Sequence, residues 1–206
     1  MSELDLKALL LELGQAGCQG NLKDYGSWIE YRNGGPVDGD AIQSTMDGLL
    51  EEGAFTRHPE FQNEFLAATP PEFPARIEYS VSGMLDDSPI QHVRSRLESF
   101  LRFHNVGPEA IIDLSIGTTE AMENAVKYSD HKNIDVSYVI ENGEFHIKVV
   151  NRMGEVAPEK DIESGKYTSS VTLMRGMMVM VKLFDEMDID ISDEQKEAIF
   201  TASKKV

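Results

Sequence analysis

One stretch of the chain combines three side chains whose types and spacing could hold a metal and a phosphate chain. In TEAMENAVKY, residues 119–128, a helix would align Glu120, Asn124 and Lys127 on one face, at i, i+4 and i+7. An amide oxygen can ligate a hard cation, an ammonium can meet phosphate oxygens, and a carboxylate can accept a proton from an attacking hydroxyl. The spacing is compatible with a magnesium–nucleotide site. Taken alone, this column of Glu120, Asn124 and Lys127 is more commonly just the solvated polar face of a helix.

The segments around this column predict the elements that would position it. RIEYSVSG alternates like a strand, the next segment has a helical apolar stripe, and Glu141-Asn142-Gly143 favours a tight hairpin turn. The predicted order is strand, helix, helix, hairpin, loop, helix, hairpin, over residues 76–83, 89–105, 111–128, 134–140 with 144–150, 154–172, 175–185, and 187–191 with 198–203. This order predicts an α+β fold, a two-layer sandwich with helices on one face of a mixed sheet.

A proline-rich segment predicts a boundary between two parts of the chain. TPPEFP, residues 69–74, holds three prolines in six positions, which disfavours regular structure. We therefore expect a domain at 73–206 and a small helical or irregular element at 1–72, with a docking or regulatory role. Within this element the pattern predicts a strand at Tyr25–Tyr31 and a helix at Asp40–Glu52 capped by Asp40.

Charge and composition exclude several classes of partner. The chain has 36 acidic and 19 basic residues and a net charge of -17, so it should repel nucleic acid and anionic membranes. A basic or neutral protein surface is the expected partner. No run of about 18 apolar residues occurs and the N-terminus is acidic, which predicts a cytoplasmic protein. The single cysteine, Cys18, cannot form an internal disulfide, and the five scattered histidines are expected at the surface.

The sequence EAMENAVKYS resembles the N box of the GHKL ATPase superfamily, most closely that of the serine kinase anti-sigma factors. The run RGMMVMVKLFDEMDI, the Asn-Gly hairpin and the order of elements are also similar, over about residues 75–206. The resemblance implies a Bergerat-type sandwich in a bacterial regulatory protein that binds Mg-ATP, phosphorylates a serine on a small antagonist protein and switches partners. Its expected partners are that antagonist, a sigma factor or another regulator, and a homodimer is left open.

The resemblance also implies roles for individual residues. By position Glu120 would be the general base and Asn124 would coordinate magnesium. Contacts to the nucleotide would come from Asn124, Lys127, Tyr128, Asn151, Gly154, Arg175 and Gly176. Backbone N–H groups near Gly176, at a helix start, could face phosphate oxygens.

The chain departs from this family at the expected adenine end of the site. Relatives have an Asp followed two residues later by Gly, whereas this chain reads Asn151-Arg152-Met153-Gly154. The oxygen of Asn151 can still accept from the adenine amino group, but Met153 is bulky. Two hypotheses remain: a divergent ATP site, or a degenerate, non-catalytic module that binds a protein partner as a partner-switching adaptor. A sensor histidine kinase is a third, less favoured alternative.

Overall fold

The structure, a computed structural model, describes residues 3–33, 35–59, 61–82, 88–153, 170–192 and 194–206. The chain divides into two compact units, one of Met1–Phe73 with Gln91–Phe103 and the other of Pro74–Ile90 with His104–Val206. The first boundary between the two units therefore lies within the proline-rich segment, between Phe73 and Pro74.

The first unit is a helical cluster with a small sheet. Its elements are α1 (Glu3–Gln15), α2 (Leu22–Asn33), α3 (Gly39–Glu51), β1 (Phe55–Arg57) and β2 (Phe65–Ala67), together with most of α4 (Ser88–Phe103). The strands β1 and β2 pair antiparallel. The predicted division at residue 73 assigned α4 to the second domain. In the structure its residues 91–103 belong to the first unit, where the ring of Phe100 packs edge-on against Phe73, 6.0 Å away.

The predicted strand at Tyr25–Tyr31 is wrong, because this segment lies in helix α2. Asn21 Oδ1 accepts from the backbone N–H groups of Lys23 and Asp24 at 2.8 and 3.1 Å, and Asp24 Oδ2 accepts from Asn21 N–H at 2.8 Å. This reciprocal cap satisfies donors that an isolated helix start would leave unpaired. Tyr25 and Trp28, one turn apart, are both buried.

The predicted helix at Asp40–Glu52 is present, but its N-cap lies two residues earlier than expected. The side chain of Asp38 accepts from Asp40 N–H, so Asp38 and not Asp40 is the N-cap of α3. The buried residues of α3 follow the i, i+3, i+4, i+7 pattern of an amphipathic helix: Ile42, Thr45, Met46 and Leu49.

The second unit carries a five-stranded sheet with helices packed on one face, so the predicted α+β class is confirmed. The elements are β3 (Arg76–Ser82), α5 (Pro108–Tyr128), β4 (Ser129–Glu141), β5 (Glu144–Met153), α6 (Ser170–Leu183), β6 (Glu186–Ser192) and β7 (Glu197–Lys205), in the sheet order β3-β4-β5-β7-β6. All four described pairings are antiparallel, where a mixed sheet was predicted. Two of these pairings, β4 with β5 and β6 with β7, join strands that are consecutive in the chain, and such hairpins are antiparallel.

Local signals in this unit agree with the structure. Asn142 and Gly143 adopt φ angles of 53° and 78°, as a two-residue turn between twisted strands requires. Pro108 is the first residue of α5. The apolar stripe predicted for α4 is buried in full: Ile90, Val93, Leu97, Phe100 and Leu101.

Candidate functional site

Helix α5 is rich in buried small residues. Its buried positions include Ser115, Gly117, Thr118, Ala121 and Ala125. Small side chains allow a helix backbone to approach its neighbours closely. A Cβ at Gly117 would collide with the ring of Phe184, which directly follows α6. The contact fixes how near the end of α6 comes to α5.

The middle of α6 approaches α5 at the predicted polar column. The prediction that Gly176 lies at a helix start is wrong, because α6 already begins at Ser170 and its free N–H groups are those of its first turn. A Cβ built on Gly176 would lie 2.8 Å from Glu120 Oε2 and 3.8 Å from Asn124 Nδ2. Gly176 is buried, whereas Glu120 and Asn124 are half-buried. The two helices are therefore antiparallel, and the structure brings three of the predicted site residues together. A larger residue at this position would displace the carboxylate of Glu120 from its present place.

A lysine of β7 contacts both the C-terminal end of α6 and helix α5. Lys204 Nζ donates to the carbonyl of Leu183, the last residue of α6, at 2.8 Å. The same ammonium is 3.1 Å from Asp113 Oδ2 on α5. A cation at a helix C-terminus is favoured by the helix dipole, and the carboxylate of α5 adds an ion pair. Lys204 thus ties both helices to the sheet.

Lys127 and Tyr128 continue the column toward the end of α5. Lys127 is exposed, and its Nζ lies 5.3 Å from the centre of the Tyr128 ring, a cation–π distance. The Lys127 position is on the same helical face as Glu120 and Asn124, one turn further along. An exposed ammonium on a flexible stem at the end of the column can reach an anion bound there.

Asn151 occupies the end of the buried row of β5. The helix-facing side chains of this strand are Phe145, Ile147, Val149 and Asn151. Asn151 is only 6% exposed, and its Nδ2 has no hydrogen-bond partner among the residues that the structure describes. A buried amide without a partner costs about 1–3 kcal/mol. The Nδ2 group of Asn151 can therefore donate to a ligand that carries a hydrogen-bond acceptor.

The sheet register relates Asn151 to the column on α5. Met153 pairs with Ser129, the residue that directly follows α5, so the C-terminal ends of β5 and α5 lie at the same end of the sheet. Met153 is half-buried and continues the helix-facing row of β5. Of the other predicted positions, Gly154 and the side chain of Arg175 lie outside the described part of the structure.

Two features of this region were missed by sequence reasoning. The hydroxyls of Ser115 and Thr118 are buried and have no hydrogen-bond partner within the described ranges of the chain. The close contact of Gly117 with Phe184 was also not predicted. The signal that could have revealed it is the density of small residues along α5, which marks a helix that packs at short range.

Cys18 and His92 form a buried pair in the first unit, which corrects the expectation that the histidines lie at the surface. Cys18 Sγ and His92 Nδ1 are 3.6 Å apart, and the residues are 1% and 6% exposed. Burial raises the pKa of the Cys18 thiol to about 12, and burial lowers the pKa of His92 to about 3. Both groups are neutral near pH 7, so the pair provides packing and no thiolate nucleophile.

Comparisons with known proteins assign the family. The family described as the histidine kinase-like ATPase domain matches residues 86–202, and the chain belongs to this family. The predicted GHKL membership is thereby confirmed. No curated protein matches the chain.

Among solved structures, the chain is similar to one from the crystal structure of the SiaB–SiaC complex from Pseudomonas aeruginosa. The two are 14% identical, with a TM-score of 0.41, and the match covers 62% of this chain and 89% of that one.

No described helix is long and apolar enough to cross a membrane. No group of three or more His, Cys, Asp or Glu residues in the described ranges could hold a metal ion.

Proposed function

We propose that this chain is a regulatory protein whose histidine kinase-like domain binds Mg-ATP and phosphorylates a serine or threonine of a small protein. The observation that carries the proposal is that Glu120 and Asn124 lie beside Gly176, which has no side chain. A carboxylate and an amide beside a helix position without a side chain leave room for phosphate oxygens and a cation.

The described residues fit this ligand at two points. A side chain at Gly176 would fill the space beside the carboxylate, so the absence of one keeps a cradle open. The Nδ2 of Asn151 is buried without a partner and can donate to a ring nitrogen of a base, while its oxygen can accept from an amino group. Magnesium usually takes one or two protein ligands and keeps waters and phosphate oxygens, so a single amide or carboxylate position suffices.

Each residue of the column has a role in this proposal. Asn124 ligates the cation through its side-chain oxygen, and Lys127 neutralises phosphate charge. Tyr128, Gly154 and Arg175 complete the nucleotide contacts inferred from the family resemblance. Bound Mg-ATP would supply an activated phosphoryl group whose transfer depends mainly on positioning and charge neutralisation.

Glu120 is the proposed general base. It is half-buried on α5, and its Oε2 lies beside Gly176 in the middle of α6. There it can accept the proton of a hydroxyl that a partner protein presents. General-base catalysis of this kind contributes about 10²–10⁴-fold.

A thermal-shift titration tests the binding part of the proposal. A ligand present at about 100 times its Kd stabilises the folded state by about 2.7 kcal/mol, so Mg-ATP should raise the Tm of the wild type. Asn124→Ala should abolish most of this increase, while Asn133→Ala should retain it. Asn133 is a matched control because the same change falls on an exposed strand position on the outer face of the sheet. An unchanged titration of Asn124→Ala would remove Asn124 from the proposal.

A second candidate function is a non-catalytic module that uses the fold to bind a protein. Met153 favours this binding module. It continues the helix-facing row two residues after Asn151, and its bulky side chain narrows the space at that end of the sheet. The same titration separates the candidates. If millimolar Mg-ATP and Mg-ADP leave the Tm unchanged, the binding module replaces the kinase.

A further inference from the structure

The outermost strand β6 presents an open edge. One side of β6 pairs with β7, and within the described ranges no strand pairs with its other side. An edge strand exposes a row of backbone N–H and C=O groups that can pair with another chain. The seven residues of β6 are long enough for several such hydrogen bonds.

The side chains of β6 form two rows of different chemistry. The register with β7 puts one row on the helix-facing side: Met187, Ile189 and Ile191. Ile189 is 37% exposed and Ile191 58% exposed, although buried residues of β7 such as Phe200 lie directly beside them. The other row, on the outer face, is acidic: Glu186, Asp188 and Asp190.

The three carboxylates have no cationic partner. None of them forms an ion pair with any residue that the structure describes, and the neighbouring positions on β7 are uncharged: Ser203, Thr201 and Ile199. Asp188 Oδ1 instead accepts the backbone N–H of Ile189 at 2.9 Å. The carboxylate of Asp188 is therefore the acceptor for one backbone N–H of β6. A backbone carbonyl of another chain can replace it.

We propose that β6 binds an extended segment of a partner protein in which Lys or Arg alternates with apolar residues. An added strand has the same two-residue period as β6, so its basic side chains would face the acidic row and its apolar side chains the isoleucine row. Main-chain hydrogen bonds supply affinity in this mode, and the alternating side chains supply specificity. The net charge of -17 steers basic segments toward the protein.

A second copy of this chain does not suit the same edge. Pairing β6 with another β6 would bring acidic rows into opposition, and like charges directly across a strand pair are destabilising. The partner is therefore a different protein with basic character. This surface is independent of the nucleotide site, because none of its residues belongs to the column on α5.

The test uses ¹H–¹⁵N spectra of the whole chain titrated with synthetic nine-residue peptides. The first peptide alternates Lys and Val, the second has the same composition with the lysines grouped at one end, and the third has Glu in place of Lys. The alternating peptide should shift the amide signals of residues 186–192, and the other two should bind at least about tenfold more weakly.

Charge-reversal variants then test whether the acidic row is responsible. The double variant Asp188→Lys with Asp190→Lys should weaken binding of the alternating peptide about tenfold or more at about 0.15 M salt. Asp190→Lys alone should weaken it less and serves if the double variant does not fold. Glu78→Lys, an exposed charge reversal on the opposite edge strand β3, should leave the affinity within about twofold. Equal binding of the grouped-lysine peptide, shifts that map outside β6, or no binding at millimolar peptide would each overturn the proposal.

Discussion

Acidification below about pH 6.5 should destabilise the first unit through His92. Burial holds the pKa of His92 at about 3 in the folded chain, against an ordinary value of 6.5. Because the folded pKa is the lower one, the unfolded chain binds the proton first. The neutral imidazole therefore contributes its full stability above about pH 6.5, and this contribution is lost as the pH falls from there toward about 3.

The size of the effect follows from the two pKa values. Each pH unit between them costs about 1.4 kcal/mol, so the free energy of unfolding should fall by about 1.4 kcal/mol between about pH 7.5 and 5.5. The reason is the site of the imidazole, which lies 3.6 Å from Cys18 Sγ and packs edge-on against Trp28 at 6.1 Å between ring centres. A proton there would leave a buried cation in apolar surroundings.

Trp28 makes the measurement specific to this unit. It is the only tryptophan of the chain and is 2% exposed, so its fluorescence during urea unfolding reports on the surroundings of His92. His92→Phe keeps an aromatic ring and removes the titrating group. The slope of unfolding free energy against pH should be smaller in this variant by about 1.4 kcal/mol per pH unit below about pH 6.5. Equal slopes in wild type and variant would refute the reasoning.

Three further predictions concern the second unit. Gly176→Ala should weaken Mg-ATP binding, as titration would measure, because its Cβ would lie 2.8 Å from Glu120 Oε2 and would displace that carboxylate. Glu120→Gln should keep the Mg-ATP affinity within about twofold and lower the rate of phosphate transfer or hydrolysis about 10²-fold or more. Lys204→Met should cost about 1–3 kcal/mol in thermal unfolding, because the ion pair with Asp113 and a carbonyl contact at the end of α6 are lost.

Matched substitutions distinguish these effects from general damage. Gly48→Ala is the control for Gly176, since Gly48 lies in helix α3 with open space around its Cα, and alanine there should stabilise by up to about 1 kcal/mol. Glu109→Gln, an exposed change in the first turn of α5, should leave turnover unchanged and controls for Glu120. A stable Gly176→Ala protein with unchanged Mg-ATP affinity would contradict the proposed cradle.

Features of the fold that depend on residues close together in the chain could be predicted from the sequence. The turn at Asn142 and Gly143 follows from the positive φ angles that these two residue types tolerate. The polar column of Glu120 and Asn124 follows from helical periodicity alone. The family resemblance rested on the same local stretch, and the match over residues 86–202 agrees with it.

Features that depend on contacts between residues far apart in the chain could not be predicted from the sequence. Tyr25 to Tyr31 looks strand-like by composition, but the cap formed by Asn21 and Asp24 and the buried contacts of Trp28 decide for a helix. Propensity is a weak signal and tertiary packing overrides it. The burial of His92 likewise depends on Cys18, 74 residues away in the chain.

The candidate site shows the same division between local and distant information. The sequence by itself determined that a carboxylate and an amide share one face of α5, because helical spacing is a property of neighbours in the chain. Only the tertiary structure decided that Gly176 meets this face and that Asn151 keeps a buried donor without a partner. These depend on how α6 and β5 approach α5, and such approaches are set by packing between segments that no periodicity connects.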